Sequence, residues 1–565
     1  MEEIFQSRPF KTRNADEFDL GSILSLFVSP IDGLTSPFDY ENTIVKGRMG
    51  SGKTMYLRAN YAYYLYRLVP TLINDESEKI LPVLIKLSDF QHIKEPSEVY
   101  RSIIIKIIEE LASIYLHLQD AHRLAQLHNG IISISEKFSL NSKFTSTMAQ
   151  LAKLGSEEYI ERVSNTLGID GSIKPKLFSL SAKWQETKHS ELKNKSNPGI
   201  KDVEECYKNL LEEQNGKILL LIDEAGALDK SFFAGKETSS FFEILMNQFR
   251  TSAFIRTKIA IYPNSYSDML TETRYGDVVS LEQTVTDERG FSKFRKCVCN
   301  ILSNYINEYS NSAKTINSEE IFEISGEEFG DSLEQIIFAS NGNMRRLIQL
   351  LDLAMNITYR ECNGAAKVTK DMVLETLKEN AASVESIFTD DEREFIGGIV
   401  ATCKSRGAYK FKFPNMSPVL YKYTEKSQEY NIVNIEEVGT GRKGTIYYFD
   451  YSYTVLKDIP THYISNSEKI NRDRSLLNGT WIGRVTQMSP ELLEQANMPG
   501  KIEGEIDYLQ KDAGFIKGSD GEQYYFNKNY IIKDDRNKYI CVGKNVRFYP
   551  SSLADSKIAS NLEIL

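Results

Sequence analysis

Apolar residues fall in short continuous runs in the first half of the chain and at helical spacing in much of the second half. Ile44–Val45 leads into a glycine-rich turn, and Met55–Leu68 has the Leu, Ala and Tyr content of a helix. Ile80–Leu87 (ILPVLIKL) and residues 217–222 (KILLLI) are almost wholly apolar, as strands covered on both faces are. Residues 257–262 (TKIAIY) and 277–282 (DVVSLE) predict two further strands, preceded by a helix over 239–250. A spacing of four through Val99, Ile103, Ile107, Leu111 and Tyr115 predicts a helix over 97–124. Strands alternating with helices predict a parallel sheet. Residues 125–200 interrupt this order. They are rich in Ser, Lys and Asn, turn at Gly168–Gly171 and Asn197–Gly199, and read as a mostly helical insertion.

From 287 to 385 the pattern is wholly helical. Its strongest helix spans 343–360, with Leu347, Leu350, Leu351 and Met355 on one side, and Thr369 caps the next, Lys370–Leu377. Helices over 389–404 and 417–428 precede two strands, Ile432–Val438 and Thr445–Tyr451, joined by the turn GTGRKG. Two helices and a hairpin match a winged helix. Residues 459–500 lack periodicity and read as a linker. Residues 501–565 are short strands between Gly and Asp turns, which predicts a small β-barrel. The expected division is therefore an α/β core over 1–286, a helical lid over 287–385, a winged helix over 386–458, the linker, and the barrel.

Composition narrows the setting. The 565 residues carry a net charge of −10, so the chain is not coated in positive charge, although a local basic face stays open. The six cysteines are scattered without a CxxC pair and His is rare, which argues against a zinc site or disulfide framework and for a reducing cytoplasm. The charged N-terminal residues do not form a secretory signal. No run approaches the roughly 20 apolar residues of a membrane span.

The chemistry is concentrated in two motifs. GRMGSGKT, residues 47–54, fits G-x-x-x-x-G-K-[ST] between a strand and a helix. Gly47, Arg48, Met49, Gly50, Ser51 and Gly52 would turn backbone N–H groups around phosphates, and the following helix would aim its positive end at them. Lys53 would neutralise β/γ oxygens, and the Thr54 hydroxyl would ligate Mg2+. The second motif is Asp223–Glu224, at the end of the strand Leu219–Ile222. Asp223 is expected at the metal and Glu224 as general base for the attacking water. ATP and Mg2+ are the expected cofactors.

GRMGSGKT, LLLIDEAG and SNGNMRRLIQLLDLA together resemble AAA+ ATPases, and within them the origin-recognition-complex-like initiator clade, over about residues 10–455. The resemblance implies a P-loop AAA+ parallel-sheet core with a helical lid, followed by a winged helix and a small OB-type barrel. It also implies roles. Arg345 would sense the γ-phosphate from the lid. Asn264 would orient the lytic water, with Ser265 as rival. Arg274, before the final strand, would reach into a neighbouring subunit's ATP.

Between Lys404 and Asp458 nine lysines and arginines face six acidic residues, and Arg442 and Lys443 stand at the hairpin turn, where phosphate contact is natural. The last 65 residues resemble a cold-shock-type OB domain, which places Tyr508, Phe515 and Tyr525 at base-stacking positions. Ala513 and Asn527 depart from that pattern. The combined expectation is an ATP-dependent switch that binds nucleic acid, DNA in preference, and associates with itself, in a mobile-element or anti-phage defence setting. The competing expectation is a signalling or scaffold ATPase that senses a protein and recruits a separate effector without touching nucleic acid.

Overall fold

The computed structural model describes residues 2–30, 36–71, 79–110, 216–262, 276–309, 316–461 and 485–565, apart from short stretches inside these ranges. The expected insertion at 125–200 lies outside them. The chain forms two compact units, one of residues 15–47 and 53–281, the other of residues 1–14, 48–52 and 282–565.

The first unit is built on five strands: β1 (Thr43–Lys46), β2 (Lys79–Lys86), β3 (Gly216–Asp223), β4 (Ile255–Ile261) and β5 (Asp277–Ser280). All pairings are parallel, and the order is β2-β3-β4-β1-β5. The apolar run in β3 explains its place inside the sheet, because Ile218, Leu219, Leu220 and Leu221 are each 0% exposed. Each such side chain contributes roughly 1.5–3 kcal/mol when removed from water. Helix α1 (Lys53–Thr71) and helix α2 (Phe241–Thr251) cover the sheet, with Leu57, Leu65, Leu245 and Phe249 in the shared core. Val99, Ile103 and Ile107, from the four-residue pattern, are buried in the same core. Since β4 pairs with both β1 and β3, its C-terminal end falls between the strand that enters the glycine-rich loop and the strand that ends in Asp223.

The second unit begins with residues 1–14, which the expected division assigns to the α/β core. Phe5 and Phe10 are buried here, Phe10 stacks on Tyr305 at 5.6 Å, and the Arg8 guanidinium donates to Asp352 at 2.8 Å. Helices α3 (Glu288–Tyr309), α4 (Ser332–Ser340), α5 (Met344–Cys362) and α6 (Lys370–Glu385) follow, the last capped by Thr369 as its side chain predicts. Next come α7 (Asp390–Arg406), β6 (Lys410–Lys412), one helical turn at Tyr421–Thr424, and the hairpin β7 (Val433–Glu437) and β8 (Ile446–Phe449). Tyr451 does not continue β8. It opens helix α8 (Tyr451–Lys457), whose N-cap is Asp450.

Part of the expected linker is also packed. Residues Thr486–Gln487 form β9, paired in parallel with β6, and Met488 and Ala496 are buried in the core of this helix-and-hairpin module. A two-residue strand and the five-residue helix Pro490–Glu494 are too short to leave a periodic signal.

The chain ends in a closed barrel, β10 (Ile502–Gln510), β11 (Ala513–Gly518), β12 (Gln523–Asn527), β13 (Asn545–Leu553) and β14 (Ser556–Ile564), in the order β10-β11-β12-β14-β13. Ile506, Ile516, Phe526, Val546, Phe548 and Leu562 fill it. The expected fold class, a parallel-sheet α/β core with helices and a small OB-type barrel, is the one observed. No helix among the described residues is long and apolar enough to cross a membrane.

One buried charge stands out in the sheet unit. Lys258, on β4, donates from Nζ to the Pro37 carbonyl at 2.6 Å and to Asn60 Oδ1 on α1 at 2.8 Å. Burial pushes its ammonium down to about 7, against the pull of Asp39 and Glu41. Between that value and the ordinary 10.5, the unfolded chain holds a proton that the folded chain lacks, so this group makes stability rise with pH there. Between pH 7.5 and 9, stability should rise by up to about 1.4 kcal/mol per pH unit more in the wild type than in Lys258→Met. Urea-unfolding midpoints of the two chains would check this.

Candidate nucleotide site

Residues 47–54 join β1 to α1, as the motif requires. The Gly47 N–H donates to the Ile261 carbonyl at 3.2 Å, which ties the loop to the end of β4. Gly50 and Gly52 have φ of +76° and +97°, a region that L side chains rarely adopt, and this is how the loop turns back on itself. Lys53 and Thr54 open α1, whose first N–H groups and dipole favour an anion. Lys53 is 7% exposed. Its Nζ donates to the Gly47 carbonyl at 2.7 Å and lies 4.0 Å from the centroid of the Tyr262 ring.

Asp223 closes β3 and is 2% exposed. Burial pushes its carboxyl up, and hydrogen bonds from the Thr54 hydroxyl and the Glu224 N–H, with the nearby Lys53 charge, pull it down. The Glu224 N–H reaches Asp223 Oδ1 at 2.8 Å. Glu224 itself sits at φ +55°, ψ +37°. Such a left-handed position costs a non-glycine residue on the order of 1–3 kcal/mol and is held only by surrounding structure. Part of that hold is Ser88, in the 3-10 turn Leu87–Phe90 after β2, whose hydroxyl donates to Glu224 Oε2. Ser88 was not foreseen. Its signal was a polar LSDF turn directly after an apolar strand.

The Thr54–Asp223 contact tests the fit of a metal. A hydroxyl and a buried carboxylate are hard oxygen donors, and Mg2+ characteristically takes one or two protein oxygens and completes its shell with phosphate and water. Among the described residues no cluster of three or more His, Cys, Asp or Glu could hold an ion, so a larger all-protein cage is not offered. The residues fit Mg2+ in that restricted way.

The loop tip, Arg48–Gly52, belongs to the second unit, where the SNGNMRR run surrounds it. Asn343 caps α5 by accepting from the Arg346 N–H at 3.1 Å, and its Nδ2 donates to the Met49 carbonyl at 2.8 Å. The Arg345 N–H donates to the Gly50 carbonyl at 3.1 Å. A Cβ on Gly50 would stand 2.4 Å from Asn343 Oδ1, so only glycine fits there. Arg48 donates to the Asn341 carbonyl, and Asn341 Nδ2 donates to the Tyr448 hydroxyl on β8 at 3.1 Å. Arg345 is thus beside the loop through its backbone.

The next arginine was missed. Arg346 is fully buried and binds Asp450 with both terminal nitrogens, at 2.5 and 2.6 Å, and Ser452 Oγ at 2.8 Å. Asp450 in turn caps α8. An Asp before YSYTVLK is an N-cap signal that would have separated helix from strand.

Asn264, Arg274, Arg442 and Lys443 lie outside the described residues. Tyr508, Phe515 and Tyr525 are described, and strand register brings them into one row, Tyr508 opposite Phe515 and Phe515 opposite Tyr525. Ring centroids are 6.2 and 5.9 Å apart. The row lies outside the barrel core. Phe515 is only 7% exposed, and Tyr525 packs with Tyr530 against the helix-and-hairpin module.

No family model and no curated protein matches the chain. Solved structures similar to it at low identity include two of ORC proteins. One is the Aeropyrum pernix ORC2 protein in ADPNP–ADP complexes, with 11% identity and a TM-score of 0.30 over 74% of this chain and 88% of that one. The other is Drosophila ORC bound to DNA, with 12% identity and a TM-score of 0.28 over 74% of this chain and 81% of that one.

Removing one member of a buried ion pair typically costs about 3–5 kcal/mol, because the other charge is left without a partner. Arg346→Met should therefore sharply lower the thermal midpoint of the unit carrying α5 and α8. Adding Asp450→Leu should recover much of the loss, which differential scanning calorimetry would measure.

Proposed function

We propose that this protein is an Mg2+-dependent AAA+ ATPase that works as a molecular switch, binding nucleic acid and associating with itself or partner proteins according to nucleotide state. The observation that carries the ATPase reading is the meeting of Thr54 and Asp223 beside Lys53 and Glu224. Each residue then has a separate task. The loop N–H groups and the α1 terminus bind phosphate oxygens, and Lys53 neutralises them. Thr54 and Asp223 would hold Mg2+, which when bound offsets the phosphate charge. Glu224 would take the proton of the attacking water, and Ser88, holding Oε2, orients its carboxylate. Asn264, Arg274 and Arg345 keep the roles that the family resemblance assigns to them.

The switch reading draws on the contacts around SNGNMRR, where one short turn carries hydrogen bonds to the loop tip and, through Asn341 and Arg346, to β8 and the start of α8. Arg442 and Lys443, in the turn between β7 and β8, are the proposed phosphate contacts for DNA. The second reading, an ATPase that senses a protein, draws on the barrel. Beside the aromatic row stand Glu505 and Asp507, both exposed, and Tyr525 is already engaged within the chain. Even with Lys517 opposite Glu505 to offset one of the two carboxylates, that face suits a protein surface better than a phosphate backbone.

Glu224→Gln should bind ATP with near wild-type affinity while turnover falls at least about a hundredfold. Equilibrium binding beside a phosphate-release assay checks this, and undiminished turnover would remove Glu224 from the role of base. Replacing Arg442 and Lys443 by Glu should weaken DNA binding and flatten the plot of log affinity against log salt by about 1.8 units of slope. An unchanged affinity would take the hairpin out of nucleic-acid binding and favour the protein-sensing reading.

A further inference from the structure

We propose that Tyr262 is a positioning residue for the nucleotide, its ring forming the seat that holds the Lys53 ammonium at the phosphate loop. This rests on the reading of residues 47–54 as an ATP site and adds to it a residue outside both motifs. Tyr262 directly follows β4, the strand placed between β1 and β3. The preceding residue, Ile261, accepts the Gly47 N–H through its carbonyl, so the start of the loop and the aromatic residue are fixed to the same peptide. The Lys53 Nζ lies 4.0 Å from the ring centroid, well inside the roughly 6 Å reach of a cation–π contact. Lys53 is nearly enclosed, so water weakens that attraction little.

The ring is itself held in place. A Cβ on Gly226 would lie 2.5 Å from Tyr262 Cε2 and 2.8 Å from Cδ2. Gly226 stands two residues after Glu224, in the turn Ala225–Ala227 that follows the acidic pair. The glycine of the DEAG run is therefore required by the tyrosine ring, and the ring packs between the acidic turn and the loop lysine. An ammonium has three donors, and Lys53 gives one to Gly47. An aromatic face attracts the charge without offering an acceptor as strong as an oxyanion. What the ring supplies is preorganisation: a flexible four-carbon stem is kept where the phosphates arrive.

The test is ATP–Mg2+ affinity by isothermal titration calorimetry on the full chain. Tyr262→Phe keeps the ring and should stay within about twofold of wild type, whereas Tyr262→Leu should lose roughly ten- to thirtyfold. In a Lys53→Met background Tyr262→Leu should change nothing further, a coupling that a merely structural role would not produce. Gly226→Ala, which displaces the ring without altering it, should reproduce the loss by an independent route. Equal affinity for wild type and a folded Tyr262→Leu overturns the proposal alone. Failure of the wild type to bind ATP overturns the nucleotide reading and this proposal with it.

Discussion

Burial of one apolar strand on both faces is the constraint from which the candidate nucleotide site follows. Ile218–Ile222 can satisfy their backbone only in a ladder and their side chains only between covering layers, so β3 takes an interior position between β2 and β4. The first polar residue after that apolar run, Asp223, then emerges at the C-terminal edge of the sheet, where ligands of open parallel sheets bind. The same edge receives the end of β1. Asp223 and Thr54 meet because two strands of fixed order end at one level, and the desolvation of Asp223 is the electrostatic consequence of its position. The strain at Glu224 belongs to the same edge, since the chain must turn sharply away from the sheet while keeping its carboxylate beside Ser88.

Around the loop tip of the second unit, polar contacts do the organising that apolar packing does in the sheet. The turn between α4 and α5 places Asn341 and Gly342 at positive φ and Asn343 at the helix cap. Three consecutive structural jobs follow from that short stretch. Asn343 and the Arg345 N–H bind loop carbonyls, Asn341 reaches the β8 tyrosine, and Arg346 makes the buried pair with Asp450. A buried pair of this kind contributes little net stability but strongly disfavours any arrangement that separates its members. Such an element fixes a register more than it adds stability.

How much of this was legible depended on the range of the signal. The glycine loop, the DE strand and most helices from 287 onward rest on local pattern, and the structure reproduces them with shifted bounds; of the helix expected over 417–428 the described residues show only the turn Tyr421–Thr424. Ser88, Tyr262 and Arg346 left no comparable mark, because their importance lies in partners distant in sequence: Ser88 with Glu224, Tyr262 with Lys53, Arg346 with Asp450. The family resemblance points to a polar residue near that strand end, Asn264, two residues beyond Tyr262, and says nothing of an aromatic one. The packed part of the expected linker failed for a different reason. Its contribution is two paired residues and a few buried side chains, below the length at which periodicity can be read.

The barrel shows how a surface can match a binding pattern and still be committed elsewhere. Tyr508, Phe515 and Tyr525 stand in one register row, the arrangement that base stacking needs. The next position along the row is Ile558, paired with Tyr525 and buried in the core of the helix-and-hairpin module. Burial at that end means that Tyr525 and Ile558 already gain from contact within the chain what an arriving base would have to replace. At the other end Tyr508 donates its hydroxyl to Gln510 Oε1 at 2.9 Å, and the exposed carboxylates Glu505 and Asp507 on the same strand disfavour a phosphate backbone. The row is thus better placed to join two modules of one chain than to act as a free stacking platform.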